Sequence, residues 1–116
     1  MPLMLTIYHN AQCSKSNGVC QLLQQEKIPA TIVEYLETPP TAAELKHLLQ
    51  LLGMKASELI RKNEVLFIEQ FEGKALSEED YLQAMIQYPI LIERPIVVNN
   101  GKAIIARPPE KVLSFI

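Results

Sequence analysis

Two short apolar runs with β-branched and aromatic character, about Met4–Tyr8 and Ala30–Tyr35, flank a stretch with helical spacing. No other feature constrains the chain so tightly. Strand, helix and strand at this separation make a βαβ unit, with parallel strands and a right-handed crossover. Between the runs Val19, Leu22 and Leu23 recur at helical intervals. The spacing predicts a helix to about Glu26, broken by Ile28-Pro29.

The period then stays helical for half the chain. Thr41 and Glu44 have the spacing of a capping box behind Pro39-Pro40, and the helix they open carries Leu45, Leu48, Leu49 and Leu52 on one face before Gly53 stops it. From Met54 to Tyr88 come shorter helical pieces, with Val65, Leu66 and Ile68 at helical spacing. A further helix is expected to start at Ser77, to turn Tyr81, Leu82, Met85 and Ile86 inward, and to end at Tyr88-Pro89. Strand character returns at Ile96–Val98 and Ala103–Ile105, around Asn100-Gly101, a strong hairpin signal. Arg107-Pro108-Pro109-Glu110 then opens a short final helix.

The order βαβ, helical insertion, ββα implies an α/β chain with a four-stranded mixed sheet. It is the order of a thioredoxin-like fold with helices inserted between its two halves. Such folds put a proline at the start of the third strand, opposite a reactive cysteine, and Pro95 stands there. A cis bond before it would be a selected feature, because cis is a minority state even for proline.

Cys13 falls where the first strand turns into the first helix. The unpaired N–H groups and the positive end of the helix dipole favour an anion there. A thiol so placed ionises readily, and the thiolate is the nucleophile. The same amides suit an incoming oxyanion.

Composition narrows the remaining possibilities. At 116 residues, 48% of them hydrophobic, residues 1–116 are expected to form a single compact domain. A net charge of −2 gives no support to nucleic-acid or membrane-surface binding. No apolar run approaches the roughly 18 residues of a spanning helix, and the N-terminus lacks the pattern of a secretory signal. Two cysteines without a framework pattern fit the reducing cytoplasm. Two histidines and two cysteines without Cys-x-x-Cys or His-x-x-x-His offer no metal site, and no glycine-rich loop follows the first strand to hold a dinucleotide. The expectation is therefore no bound cofactor, and nothing demands more than a monomer.

Several motifs together carry a resemblance. They are His9-Asn10-x-x-Cys13-x-x-Ser16, Tyr35-Leu36-Glu37-x-Pro39-Pro40-Thr41, Leu59-Ile60-Arg61-Lys62-Asn63, Pro89 through Val98 with Glu93-Arg94-Pro95 at its centre, and Arg107-Pro108. With these the chain resembles, along essentially its whole length, the glutathione/glutaredoxin-dependent arsenate reductase family, and above all its short bacterial members. The resemblance implies attack by the Cys13 thiolate on arsenate, an arseno-cysteine adduct, glutathione as reducing co-substrate and glutaredoxin as partner. It places Arg61, Arg94 and Arg107 at the three anion-binding positions, where a guanidinium grips two oxygens of a tetrahedral oxyanion. It gives His9 a part in forming the thiolate, and Ser16 is placed to donate its hydroxyl to the sulfur. Ala11 stands where the family often has proline, and the chain stops soon after its final helix, at Ile116.

Each residue also has a plainer reading. The arginines are ordinary ion-pairing residues in that view, His9 holds the loop by hydrogen bonds, and Ser16 satisfies a helix amide. Cys20 reads as core filler: seven residues of helix rise about 10 Å, beyond the roughly 7 Å between Cα atoms that a disulfide to Cys13 spans. His47 reads as a solvated face residue. Two other functions compete on the same fold. One is a redox-responsive regulator that binds RNA polymerase, whose usual Cys-x-x-Cys switch is interrupted here by Ser16. The other is a general glutathione-linked thiol–disulfide oxidoreductase, which would tolerate loss of the arginines. The unrelated phosphatase-like arsenate reductases need arginine at position 19, which is Val19.

Overall fold

The computed structural model of the chain describes residues 5–115. They fall into two compact units, one built from the two ends of the chain up to Thr38 and from Arg94 onward, the other from Pro39–Glu93.

The first unit is the sheet. Strand β1 (Leu5–His9) leads to helix α1 (Ser14–Gln25) and strand β2 (Ala30–Glu34). The first expected strand began at Met4, which lies outside the described residues. Strand β3 (Ile96–Asn99) and strand β4 (Lys102–Ile105) come from the other end of the chain. The order across the sheet is β2-β1-β3-β4. β1 pairs parallel with β2 and antiparallel with β3, which pairs antiparallel with β4. This is the mixed four-stranded sheet of the thioredoxin-like reading. Asn100 bends the hairpin with φ 56°, a left-handed backbone that asparagine tolerates.

Alternation along β1 sends Leu5, Ile7 and His9 inward. Leu5 and Ile7 join Val19 and Leu23 of α1, Val97 of β3, and Val112 in one apolar core. Fully burying an aliphatic side chain of this kind contributes about 1.5–3 kcal/mol. The face therefore holds α1 firmly, and the strand–helix turn between them is fixed at both ends. The peptide bond before Pro95 is cis, as is the one before Pro108.

The second unit is helical. It holds α2 (Ala42–Leu52), α3 (Ala56–Leu59), α4 (Val65–Gln70), α5 (Glu78–Gln87) and a 3₁₀ turn at Pro89–Leu91. The expected capping box of Thr41 with Glu44 forms, and Ser77 makes another with Asp80. Gly53 ends α2 in the left-handed conformation, φ 66°, that glycine adopts without strain. Two local expectations change. Ile60 is not helical: it bridges antiparallel to Ile92. In α4 the buried residue is Phe67, whereas Val65 is 65% and Ile68 48% exposed. Phe67 gathers Phe71 and Tyr81 at ring-centroid distances of 5.7 and 6.5 Å, a larger apolar anchor than the aliphatic residues beside it. The last helix of the chain, α6 (Lys111–Phe115), returns to the sheet unit and buries Val112. Among the described residues no helix is long and apolar enough to cross a membrane.

Candidate active site

Buried polar side chains show where this molecule departs from plain packing. Among the described residues they are His9, Asn10, Ser16 and Arg94, all in the sheet unit. Three of them belong to the β1–α1 turn or its flanks, and the fourth reaches the same cysteine.

The turn is tied from within. Asn10 Oδ1 accepts from Gln12 N–H at 2.9 Å, an Asx turn, and Asn10 O accepts from Cys13 N–H at 3.0 Å. Asn17 Nδ2 donates to Ala11 O at 2.8 Å. Ser16, fully buried, accepts from Asn10 N–H through its hydroxyl oxygen at 3.4 Å. These bonds hold Cys13 as the N-cap of α1, half-buried, with φ −101° and ψ 122°.

The thiol is unpaired in the redox sense, and its pKa lies below the ordinary 9.0. Burial pushes it up, but the backbone N–H of Ser16, the Arg94 guanidinium and the backbone N–H of Lys15 together push it down further. Ser16 meets the sulfur through its amide, and its hydroxyl oxygen, which accepts from Asn10 N–H, keeps its own proton to donate. Arg94 is buried and adjoins Pro95, so the start of β3 does face the cysteine. Arg107 is close by, its Nη1 donating to Arg94 O at 3.2 Å. The segment carrying Arg107 approaches α1 at Gly18, where a Cβ would stand 2.9 Å from Pro109 Cγ. Only glycine allows that approach without displacement.

His9 is 7% exposed, and burial lowers its pKa against the opposing pull of Glu34, its register neighbour on β2. Its Nδ1 lies 3.6 Å from Cys20 Sγ. Cys20 is partly buried, and burial raises its thiol pKa. An open hollow of about 230 Å³ borders the turn, lined by His9, Asn10, Ala11 and Gln12 with Glu34 and Glu37 opposite.

The structure thus brings together Cys13, Ser16, Arg94 and Arg107, with His9 at the root of the same turn. Arg61 belongs to the helical unit, where Leu91 O accepts from its N–H at 2.7 Å and its guanidinium pairs with Glu64 at 3.0 Å and Glu93 at 3.6 Å. His47 is exposed. Sequence reasoning gave Asn10 no task, although asparagine two residues before a turn amide is a usual Asx-turn signal. The contact between His9 and Cys20 had no sequence signal. Among the described residues no group of three or more His, Cys, Asp or Glu side chains is placed to hold a metal.

Comparison with known proteins places the chain in a family. Residues 8–115 match the model of the ArsC family. The chain is 49% identical to the uncharacterized protein YfgD of Escherichia coli K12, covering 100% of this chain and 99% of that one. It is 38% identical to an arsenate reductase of Neisseria meningitidis serogroup A, over 93% and 94% of the two chains. The solved structure of an arsenate reductase from Vibrio cholerae matches all of both chains with a TM-score of 0.93 and 42% identity. The polar turn around Cys13 lies within a sequence that aligns with these relatives over 93% or more of its length, and the chain belongs to the ArsC family.

Proposed function

We propose that the protein reduces arsenate to arsenite with electrons from glutathione, helped by glutaredoxin, through a covalent adduct on Cys13. The observation that carries this reading is the thiol itself, whose pKa is held down by two backbone amides and the Arg94 guanidinium. Donors that stabilise a sulfur anion also suit an oxyanion beside it. Relatives named arsenate reductase support arsenate as the oxyanion.

In the first step the thiolate attacks arsenic, an As–S bond forms, and one arsenate oxygen leaves with protons as water. A glutathione thiol then attacks the adduct. Arsenic takes up two electrons and leaves as arsenite, while the thiols end as a disulfide and glutaredoxin returns Cys13 to its reduced state. In net terms one arsenate and two thiols give arsenite, one disulfide and water. Arg94 and Arg107 hold arsenate oxygens and offset charge at arsenic. The Ser16 amide stabilises the thiolate, and His9 assists its formation. No resident cofactor takes part, and the protein works as a monomer in the cytoplasm.

The test is arsenate-dependent NADPH oxidation in the presence of glutathione, glutaredoxin and glutathione reductase. Turnover by the wild type that vanishes in Cys13→Ser and falls steeply in Arg94→Ala is expected. A wild type that exchanges disulfides but shows no arsenate-dependent signal would transfer the site to general thiol–disulfide chemistry.

A further inference from the structure

We propose that Cys20 is a positioning residue: its thiol donates to His9 Nδ1 and so fixes the imidazole as the neutral tautomer with its proton on Nε2. Cys20 stands seven residues after Cys13, nearly two helical turns, and therefore on the same side of α1. That side faces β1, where Leu5 and Ile7 pack against Val19 and Leu23, with Cys20 at the edge of the cluster. His9 is the next inward residue of β1 after Ile7, so an imidazole continues an otherwise apolar face. The partner that the helix offers it is Cys20 Sγ, 3.6 Å from Nδ1.

Two arrangements fit that distance, S–H to nitrogen or N–H to sulfur. A ring nitrogen lone pair is a good acceptor, whereas thiol sulfur is a weak one, so the S–H donates. Burial favours the neutral form of both groups, lowering the His9 pKa and raising that of Cys20. The carboxylate that the ring feels is Glu34 across the β1–β2 register, and Glu37 lines the same hollow. Both carboxylates are acceptors, which suits a ring that offers an N–H. A neutral imidazole protonated at Nε2 has its one lone pair engaged by Cys20. His9 then acts on its surroundings as a donor and not as a base.

The position makes this matter to the site. His9 is followed directly by Asn10, whose N–H is held by Ser16 and whose carbonyl holds Cys13 N–H. Anchoring the ring fixes the residue from which the Cys13 turn departs.

The test uses the whole protein and needs no arsenate. Long-range ¹H–¹⁵N correlation reads the tautomer of each histidine, and the chain has only two, His9 and the exposed His47, which serves as an internal reference. The wild type should show a single Nε2–H tautomer for His9. Cys20→Ala should lose it to a mixture, and Cys20→Ser, whose hydroxyl also donates, should restore it. The pH profile of Cys13 alkylation, located by mass spectrometry, should shift upward in Cys20→Ala and return in Cys20→Ser. A wild-type ring protonated at Nδ1 would overturn the proposal. So would a Cys20→Ala ring and alkylation profile that match the wild type, or a Cys20→Ser variant that behaves like Cys20→Ala.

Discussion

The two units of this chain solve burial in opposite ways. The helical unit buries Leu45, Leu48, Leu59, Phe67, Leu82 and Met85, and its main polar exception is the Arg61 guanidinium, whose Nε and Nη1 are buried beside Glu64 and Glu93. The sheet unit buries a comparable apolar set but admits His9, Asn10, Ser16 and Arg94. Burying polar groups costs stability unless each finds a partner, and here Asn10 meets Gln12 and Ser16, Arg94 meets Cys13, and His9 meets Cys20. Where a fold gathers four such groups around one strand–helix turn, chemistry outweighs packing. The helical unit has a different economy, with capping boxes at two helix starts and an aromatic cluster of Phe67, Phe71, Tyr81 and Tyr88.

The contrast is sharpest if substitutions in each unit fail in different assays. Cys13→Ser should reduce arsenate turnover by about a thousandfold or more, as loss of a nucleophile does, with the unfolding transition almost unchanged. Phe67→Ala should do the reverse. It should cost about 3–5 kcal/mol in denaturant unfolding, while the alkylation rate of Cys13 in the folded protein stays as in the wild type. A Phe67→Ala protein with normal stability would break the comparison.

Arg94→Ala tests both properties within the sheet unit. With the guanidinium gone, the Cys13 pKa should rise, and alkylation near neutral pH should slow by about tenfold per unit of rise. The sign for stability follows from linkage. The Cys13 pKa is lower in the folded chain than in the unfolded one, so the thiolate stabilises the fold fully above the ordinary thiol value. That contribution disappears as the pH falls through the folded value. The stability gap between wild type and Arg94→Ala should accordingly narrow on acidification, and a gap that widens would contradict the assigned charge. The smallest effect belongs to Thr41→Ala, which removes a cap at Glu44 N–H and should cost about 1 kcal/mol. Thiol reactivity should not respond, and a change there would mean that the units do not divide the work as described.

What was legible in the sequence was whatever depends on local chemistry. The βαβ start, the Thr41–Glu44 box, the Gly53 stop and the Asn100-Gly101 hairpin each follow from a few adjacent residues, and each forms. Cys13 at a helix start is of the same kind. The misses all depend on contacts between distant segments. The Ile60–Ile92 bridge joins residues with no shared pattern. Helical spacing in α4 singled out Val65 and Ile68, but the large ring of Phe67 takes the interior. The approach of Cys20 to His9 spans eleven residues and depends on how α1 lies on β1. Arg94 announced itself only through Pro95 and the family resemblance, and that resemblance gave no sign of the ion pairs that Arg61 makes with Glu64 and Glu93.

The place of Cys13 at the head of α1 has one more consequence. Serine, threonine, asparagine or aspartate would ordinarily close such a helix end with a side-chain oxygen, whereas here the sulfur makes no full cap and acts on the Ser16 and Lys15 amides through its charge. The reagent and the latch of the helix are therefore one atom. Whenever the sulfur is protonated or carries a substituent, the first turn of α1 loses its anion, and amide exchange at Lys15 and Ser16 is expected to quicken with it.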